Sequence, residues 1–352
     1  MSSAHPSWAR RPLPAGLVGS YAQPDWLVHR EVLGSRLPPR VHAREFWRLE
    51  GDELEDAQRR ATLAALDDQI AAGVDFVTDG EIRRESYSNR FANALEGIDL
   101  DRHGVAIDRT GREVPVPRVA GPIVWRGSTE VDYVALLKAH TDLPVKVTLP
   151  GPFTMTQQAQ NDYYPDEETL AEAYATAVNA ELTALFAAGA DIVQLDEPYV
   201  QARPDQARAY AVACIDRALA GATGTTALHV CFGYGRHVED KPNRYEYLGD
   251  LDACRADEIS IECAQPNLDL VDLETLPHKT IHVGVINLRD TSVETPETVA
   301  GRIRAALEHL PAERMVVAPD CGMKYLTPEI ARGKLTSMVA GRDLVLRELG
   351  LE

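Results

Sequence analysis

The chain has 352 residues, 45% of them hydrophobic and 26% charged, which suits a soluble domain with a large buried core. A formal net charge of −18 argues against a nucleic-acid partner, because phosphate binding needs clustered Lys and Arg. The residues before Leu17 contain no apolar run and no stretch approaches the roughly 18 apolar residues of a membrane span, so a cytoplasmic protein without a membrane partner is expected.

Residues 1–16 read as an N-terminal arm and residues 17–352 as one domain. The first strand is expected at Leu17–Ser20 and the second at Asp75–Thr78. Residues from about Gly97 to Gly127 then carry Val114-Pro115-Val116-Pro117 and Ile123-Val124-Trp125, the pattern of a β-hairpin excursion between strands two and three. Further strands are expected at Val145–Leu149, Ile192–Leu195, Ala227–Val230, Glu258–Ile261, Thr280–Ile286 and Met315–Ala318. These apolar runs do not alternate, as suits strands buried on both faces of a parallel sheet.

Helical patterns separate the strands. One runs from about Asp166 to Ala188, with Leu170, Tyr174, Val178, Leu182 and Leu185 as its apolar stripe and Gly189 as its stop. Another opens at Thr295-Pro296-Glu297, a cap residue followed by proline at the first helical position, and Pro328 opens the last. Eight strand–helix alternations in one chain predict an α/β fold, a (β/α)8 TIM barrel.

Such a barrel places its active site at the C-terminal ends of the strands. Those ends carry Ser20, Asp79-Gly80-Glu81, Asp196-Glu197, His229-Val230-Cys231, Glu262 and Asp320-Cys321. His229, Cys231, Glu262 and Cys321 make a plausible tetrahedral zinc set of two thiolates, an imidazole and a carboxylate. A buried cysteine is commonly just a small hydrophobe, and Cys214, Cys254 and Cys263 are read that way. Two thiolates make the metal electron-rich, better suited to activating a soft thiol than water, with Glu262 as the ligand that yields to the incoming sulfur.

Together these stretches resemble the C-terminal catalytic domain of cobalamin-independent methionine synthase, in a short "core" form without a second barrel. The matching segments are Val18-Gly19-Ser20, Asp79-Gly80-Glu81, Pro150-Gly151-Pro152, Gln194-Leu195-Asp196-Glu197-Pro198, His229-Val230-Cys231, Ile261-Glu262 and Pro319-Asp320-Cys321-Gly322-Met323-Lys324. The resemblance belongs to the barrel superfamily that includes uroporphyrinogen decarboxylase, and it implies zinc on His229, Cys231, Glu262 and Cys321. It also implies homocysteine held by Ser20, Glu81 and Asp196.

The sequence departs from that family where the methyl donor binds. The loop Phe153-Thr154-Met155-Thr156-Gln157-Gln158 has no tryptophan, Arg289 stands in place of the proton-donating histidine, and Glu81 is followed by Arg83-Arg84-Glu85-Ser86. The donor therefore stays open between a folate, a methylcorrinoid and another alkyl group, as do a methyl-delivering partner protein and a homo-oligomer. Epoxyalkane:coenzyme M transferases resemble the same family and open an epoxide with a zinc-bound thiolate. For either reaction Arg83, Arg84, Asn287 and Arg289 are the expected contacts of the donor or of an anionic group. A metal-free decarboxylase-like enzyme and a zinc-binding protein with a decayed site are the remaining alternatives.

Overall fold

A computed structural model describes residues 6–35, 38–108 and 111–351. The strands are β1 (Val77–Thr78), β2 (Glu96–Ile107), β3 (Glu113–Val124), β4 (Val145–Pro150), β5 (Gln160–Asn161), β6 (Ile192–Asp196), β7 (Thr225–Val230), β8 (Glu258–Ile261), β9 (Thr280–Ile286) and β10 (Met315–Pro319). Seven of them form one parallel sheet in the order β1-β4-β6-β7-β8-β9-β10. Their side chains are buried almost without interruption, which explains the unalternating apolar runs.

The segment expected as the first strand is the main departure. Leu17–Ser20 forms no ladder; the only bridge there pairs Ala15 with Val317. The segment nevertheless ties the two sheet edges together. Gly16 N donates to Val317 O and Val317 N to Pro14 O on the β10 side, while Asp75 N donates to Ala15 O and Tyr21 N to Gly80 O beside β1. Just upstream, Pro12 and Pro14 have no N–H to donate. At Gly16, moreover, the backbone passes so close to Phe76 that a Cβ would lie 2.4 Å from its ring. The barrel is closed, with an irregular first stave and a second stave only two residues long.

The helices flank the sheet as expected. Asp166 caps the helix Glu167–Ala187 by accepting from Thr169 N, and Gly189 follows it at φ 98°. Thr295 caps Pro296–Leu307 and Thr327 caps Pro328–Leu349 in the same way. The excursion is present as the antiparallel pair β2–β3, to which β5 adds in parallel. At the opposite end from the expected site, Trp8 closes the barrel floor. Its indole meets Phe76 edge-on at 5.0 Å and donates to Glu258 Oε1 at 2.8 Å.

Candidate metal and thiol site

Strand register builds the site. Asp196 is level with His229 across β6 and β7, and His229 with Ser260 across β7 and β8, so all three share the inward face. Ser260 Oγ lies 2.9 Å from His229 Nδ1, leaving His229 Nε2 buried and without a partner. A ring nitrogen of His229 and the thiols of Cys231 and Cys321 lie within 4.8 Å of one another, all three residues buried. Cys321 is set in place by its neighbour: Asp320 bends over to accept from the backbone N–H groups of Cys263, Ala264 and Gln265. An orphaned imidazole nitrogen facing two enclosed thiols fits a soft cation. A shared hydrogen bond with Cys231, and then burial, push the Cys321 thiol up, a cost that a bound cation relieves.

Glu262 stands apart from these three. Its Oε2 accepts from Lys241 Nζ at 2.5 Å, its Oε1 has no partner, and the side chain is fully enclosed. Burial pushes its carboxyl well above the usual range while Lys241 pulls it back. The other three cysteines are buried, as packing residues should be.

Ser20, Glu81 and Asp196 line the same solvent-open cavity as the three clustered donors. Glu81 sits at φ 51°, a left-handed backbone that aims its side chain inward, where Oε1 accepts from Thr148 Oγ1 at 3.0 Å and Oε2 is unpartnered. Asp196 accepts from Gln194 Nε2 at 2.8 Å. Burial, and then the neighbouring charge of Glu81, push the Asp196 carboxyl up to about 7. Ser20 Oγ is buried and unpartnered, and Gly322 passes close beside it, so that a Cβ there would lie 2.0 Å from that oxygen and force it to move.

The expected donor or anion contacts do not reach this cavity. Arg83 lies over the Tyr133 ring. Arg84 is buried outside the cavity, donating to Thr148 O and Oγ1 and paired with Asp79 and Glu130. Arg289 is partly exposed and paired with Glu239, and Asn287 caps the turn that follows it by accepting from Arg289 N. Acids pair with Arg84 and Arg289, while Arg83 meets the Tyr133 ring and Gln58, contacts the linear sequence does not display. Sequence reasoning passed over Arg40, Tyr234 and His237, which do line the cavity, and Lys241 and Ser260, which hold site residues. Ser260 had a signal: Glu258, Ser260 and Glu262 alternate along one strand face.

Residues 37–342 match the family described as "Cobalamin-independent synthase, Catalytic domain". The chain belongs to the cobalamin-independent methionine synthase family. It is 32% identical to the methionine synthase of Thermococcus kodakarensis over 343 residues, covering 97% of this chain and 95% of that one. With the methionine synthase of Saccharolobus solfataricus it shares 32% over 347 residues, covering 96% of each. A B12-independent methionine synthase from Shewanella sp. W3-18-1, solved in complex with selenomethionine, superposes with a TM-score of 0.87 at 32% identity, covering 96% of this chain and 99% of that one. Family membership makes the chain a methyltransferase built on a TIM barrel. Among the described residues no helix is long and apolar enough to cross a membrane.

Proposed function

We propose that this chain is a zinc-dependent methyltransferase that methylates the thiol of homocysteine to give methionine. The observation that carries this reading is the convergence of His229, Cys231 and Cys321 in one cavity with the two inward carboxylates of Glu81 and Asp196. Zinc held by His229, Cys231 and Cys321, with Glu262 as a fourth, exchangeable ligand, supplies a centre that lowers a thiol's pKa and keeps its sulfur nucleophilic. Glu81 and Asp196 then bind the ammonium of the amino acid, and Ser20 lends its unpartnered hydroxyl. Residues 17–352 are the catalytic unit in this reading, preceded by the arm of residues 1–16, whose Pro14–Gly16 stretch hydrogen-bonds to β10.

The name methionine synthase on the relatives, and the selenomethionine complex of the Shewanella enzyme, support an amino-acid thiol as acceptor. The epoxide alternative leaned on Arg83, Arg84 and Arg289 to hold a sulfonate, and none of them lines the cavity. Paired acids beside the metal donors also repel a sulfonate.

The test incubates zinc-loaded protein with homocysteine and, in separate reactions, methyltetrahydrofolate, methylcobalamin or a methylated corrinoid protein. Methionine from one of them is the expected result. Consumption of coenzyme M with epoxypropane, and no methionine from any donor, would transfer the assignment to the epoxide reaction.

A further inference from the structure

The metal donors and the two acids account for the floor of the cavity, but not for its wall. Arg40 lines that wall and, among the described residues, is the only arginine or lysine that does so. Its Nη1 is buried with no hydrogen-bond partner. A buried guanidinium nitrogen without an acceptor is uncommon, since desolvation of a charged donor must be repaid by some contact. The wall around it is largely phenolic, with Asp108 as a further lining residue: the guanidinium lies 5.2 Å from the Tyr87 ring centre, and Tyr199 and Tyr234 line the same cavity.

The segment that carries Arg40 is held from outside the cavity. Ser86 Oγ donates to Pro39 O, Asn89 Nδ2 to Val41 O and Asn93 Nδ2 to Arg40 O. Three side chains from one stretch therefore clamp the backbone on both sides of the arginine, and Pro38 and Pro39 stiffen its approach. That stretch directly follows Glu81, where the sequence departs from its family's pattern. A pinned backbone that presents a buried, unpartnered guanidinium nitrogen to a cavity suits recognition of an oxyanion.

We propose that Arg40 is an anion-binding residue of this cavity, which takes a carboxylate or phosphate group of one of the two substrates. Tyr234 lines the same cavity as Arg40, Glu81, Asp196 and Cys321. Two sources can supply the anion: the α-carboxylate of the amino-acid thiol, pointing outward once its ammonium meets Glu81 and Asp196, or an acidic group on the methyl donor. The choice of source rests on the methyl-transfer reading; the anion site itself does not.

The test compares wild type with Arg40→Met and Arg40→Lys, with melting temperatures confirming that each variant folds. Calorimetry with inorganic phosphate is expected to show binding to wild type, at least about tenfold weaker binding to R40M and partial recovery in R40K. Phosphate that binds neither protein, or all three alike, overturns the proposal. Homocysteine and 3-aminopropanethiol, which lacks the carboxylate, are then titrated onto cobalt-substituted protein. Weakening for homocysteine alone in R40M assigns the amino acid's carboxylate, whereas unchanged thiol affinities with a raised KM for the donor assign the donor. Equal losses for both thiols overturn the proposal, because they report a disturbed floor. Wild type that binds phosphate but no homocysteine counts against the methyl-transfer reading and leaves the anion site standing.

Discussion

Lys241 Nζ lies 2.5 Å from Glu262 Oε2, and both side chains are almost completely enclosed. Lys241 also donates to Gly233 O at 2.8 Å, so it bridges the loop after Cys231 and the carboxylate expected to share the metal. A buried acid paired with a buried base is costly to break from one side, on the order of 3–5 kcal/mol, because the survivor is left charged and dehydrated. Lys241→Met should therefore lower the melting temperature of chelator-treated protein. Zinc should restore most of the loss, since the metal becomes the cation for Glu262. Melting curves with and without zinc check this: the zinc-induced rise should be larger in the variant. Equal rises would mean that Glu262 never meets the metal.

Ser260 touches none of the metal donors' ligating atoms, yet it fixes which nitrogen of His229 faces them. Removing a partner of this kind costs roughly 10–100-fold in metal affinity. Ser260→Ala should thus weaken zinc binding by that order in a chelator competition, with little change in melting temperature. Cys263→Ala is the control, since that thiol is not among the clustered donors. An unchanged zinc affinity in S260A would remove the orienting role.

The three clustered donors and the two acids were legible because strand ends mark them. Apolar runs locate the strands, and the barrel's geometry brings their C-terminal residues together whatever lies between. Arg83, Arg84 and Arg289 were expected at the cavity because charge is visible in a sequence and its partners are not: Asp79 and Glu130 pair with Arg84, Glu239 pairs with Arg289, and Arg83 lies over the Tyr133 ring. Arg40 was silent for the opposite reason. It sits in a proline-rich connection, and only the side chains of Ser86, Asn89 and Asn93 turn it into a fixed wall. The irregular first stave was also hidden. Leu17–Ser20 reads as apolar and extended, and the close passage over Phe76 that prevents a ladder is a tertiary contact.

Glu130 predicts a pH signature away from the metal donors. Burial pushes its carboxyl up to about 7, against the pull of Arg84 and Arg90 and with a further push from Asp79 and Glu181. A value raised above the ordinary 4.5 means that the folded protein holds this proton more tightly than the unfolded chain does. Its contribution is complete below the unfolded value and is lost as pH rises through about 7, worth on the order of 3 kcal/mol at most. Glu130→Gln cannot ionise, so its melting temperature relative to wild type should improve as pH rises from about 5 to about 8. A difference that stays constant across that range would place the proton elsewhere.

Trp8 tests whether the arm is part of the barrel or an appendage to it. Its ring packs on Phe76 in a small apolar cluster with Ile192, Ala227 and Val316, at the end of the barrel opposite the cavity. Its indole N–H satisfies Glu258 Oε1, whose other oxygen meets His282 Nε2 at 2.6 Å. Trp8→Ala removes the packing and leaves one oxygen of a buried carboxylate without its donor. Full burial would put the loss at 3–5 kcal/mol; because Trp8 is only partly buried, about 2–3 kcal/mol is expected. Trp8→Phe keeps the ring and loses only the hydrogen bond, so it should fall between the two. Neither variant should change zinc affinity, since this end of the barrel serves stability while the opposite face carries the chemistry. Denaturant unfolding alongside zinc titration separates the two effects, and an alanine variant as stable as wild type would show that the arm only rests against the floor.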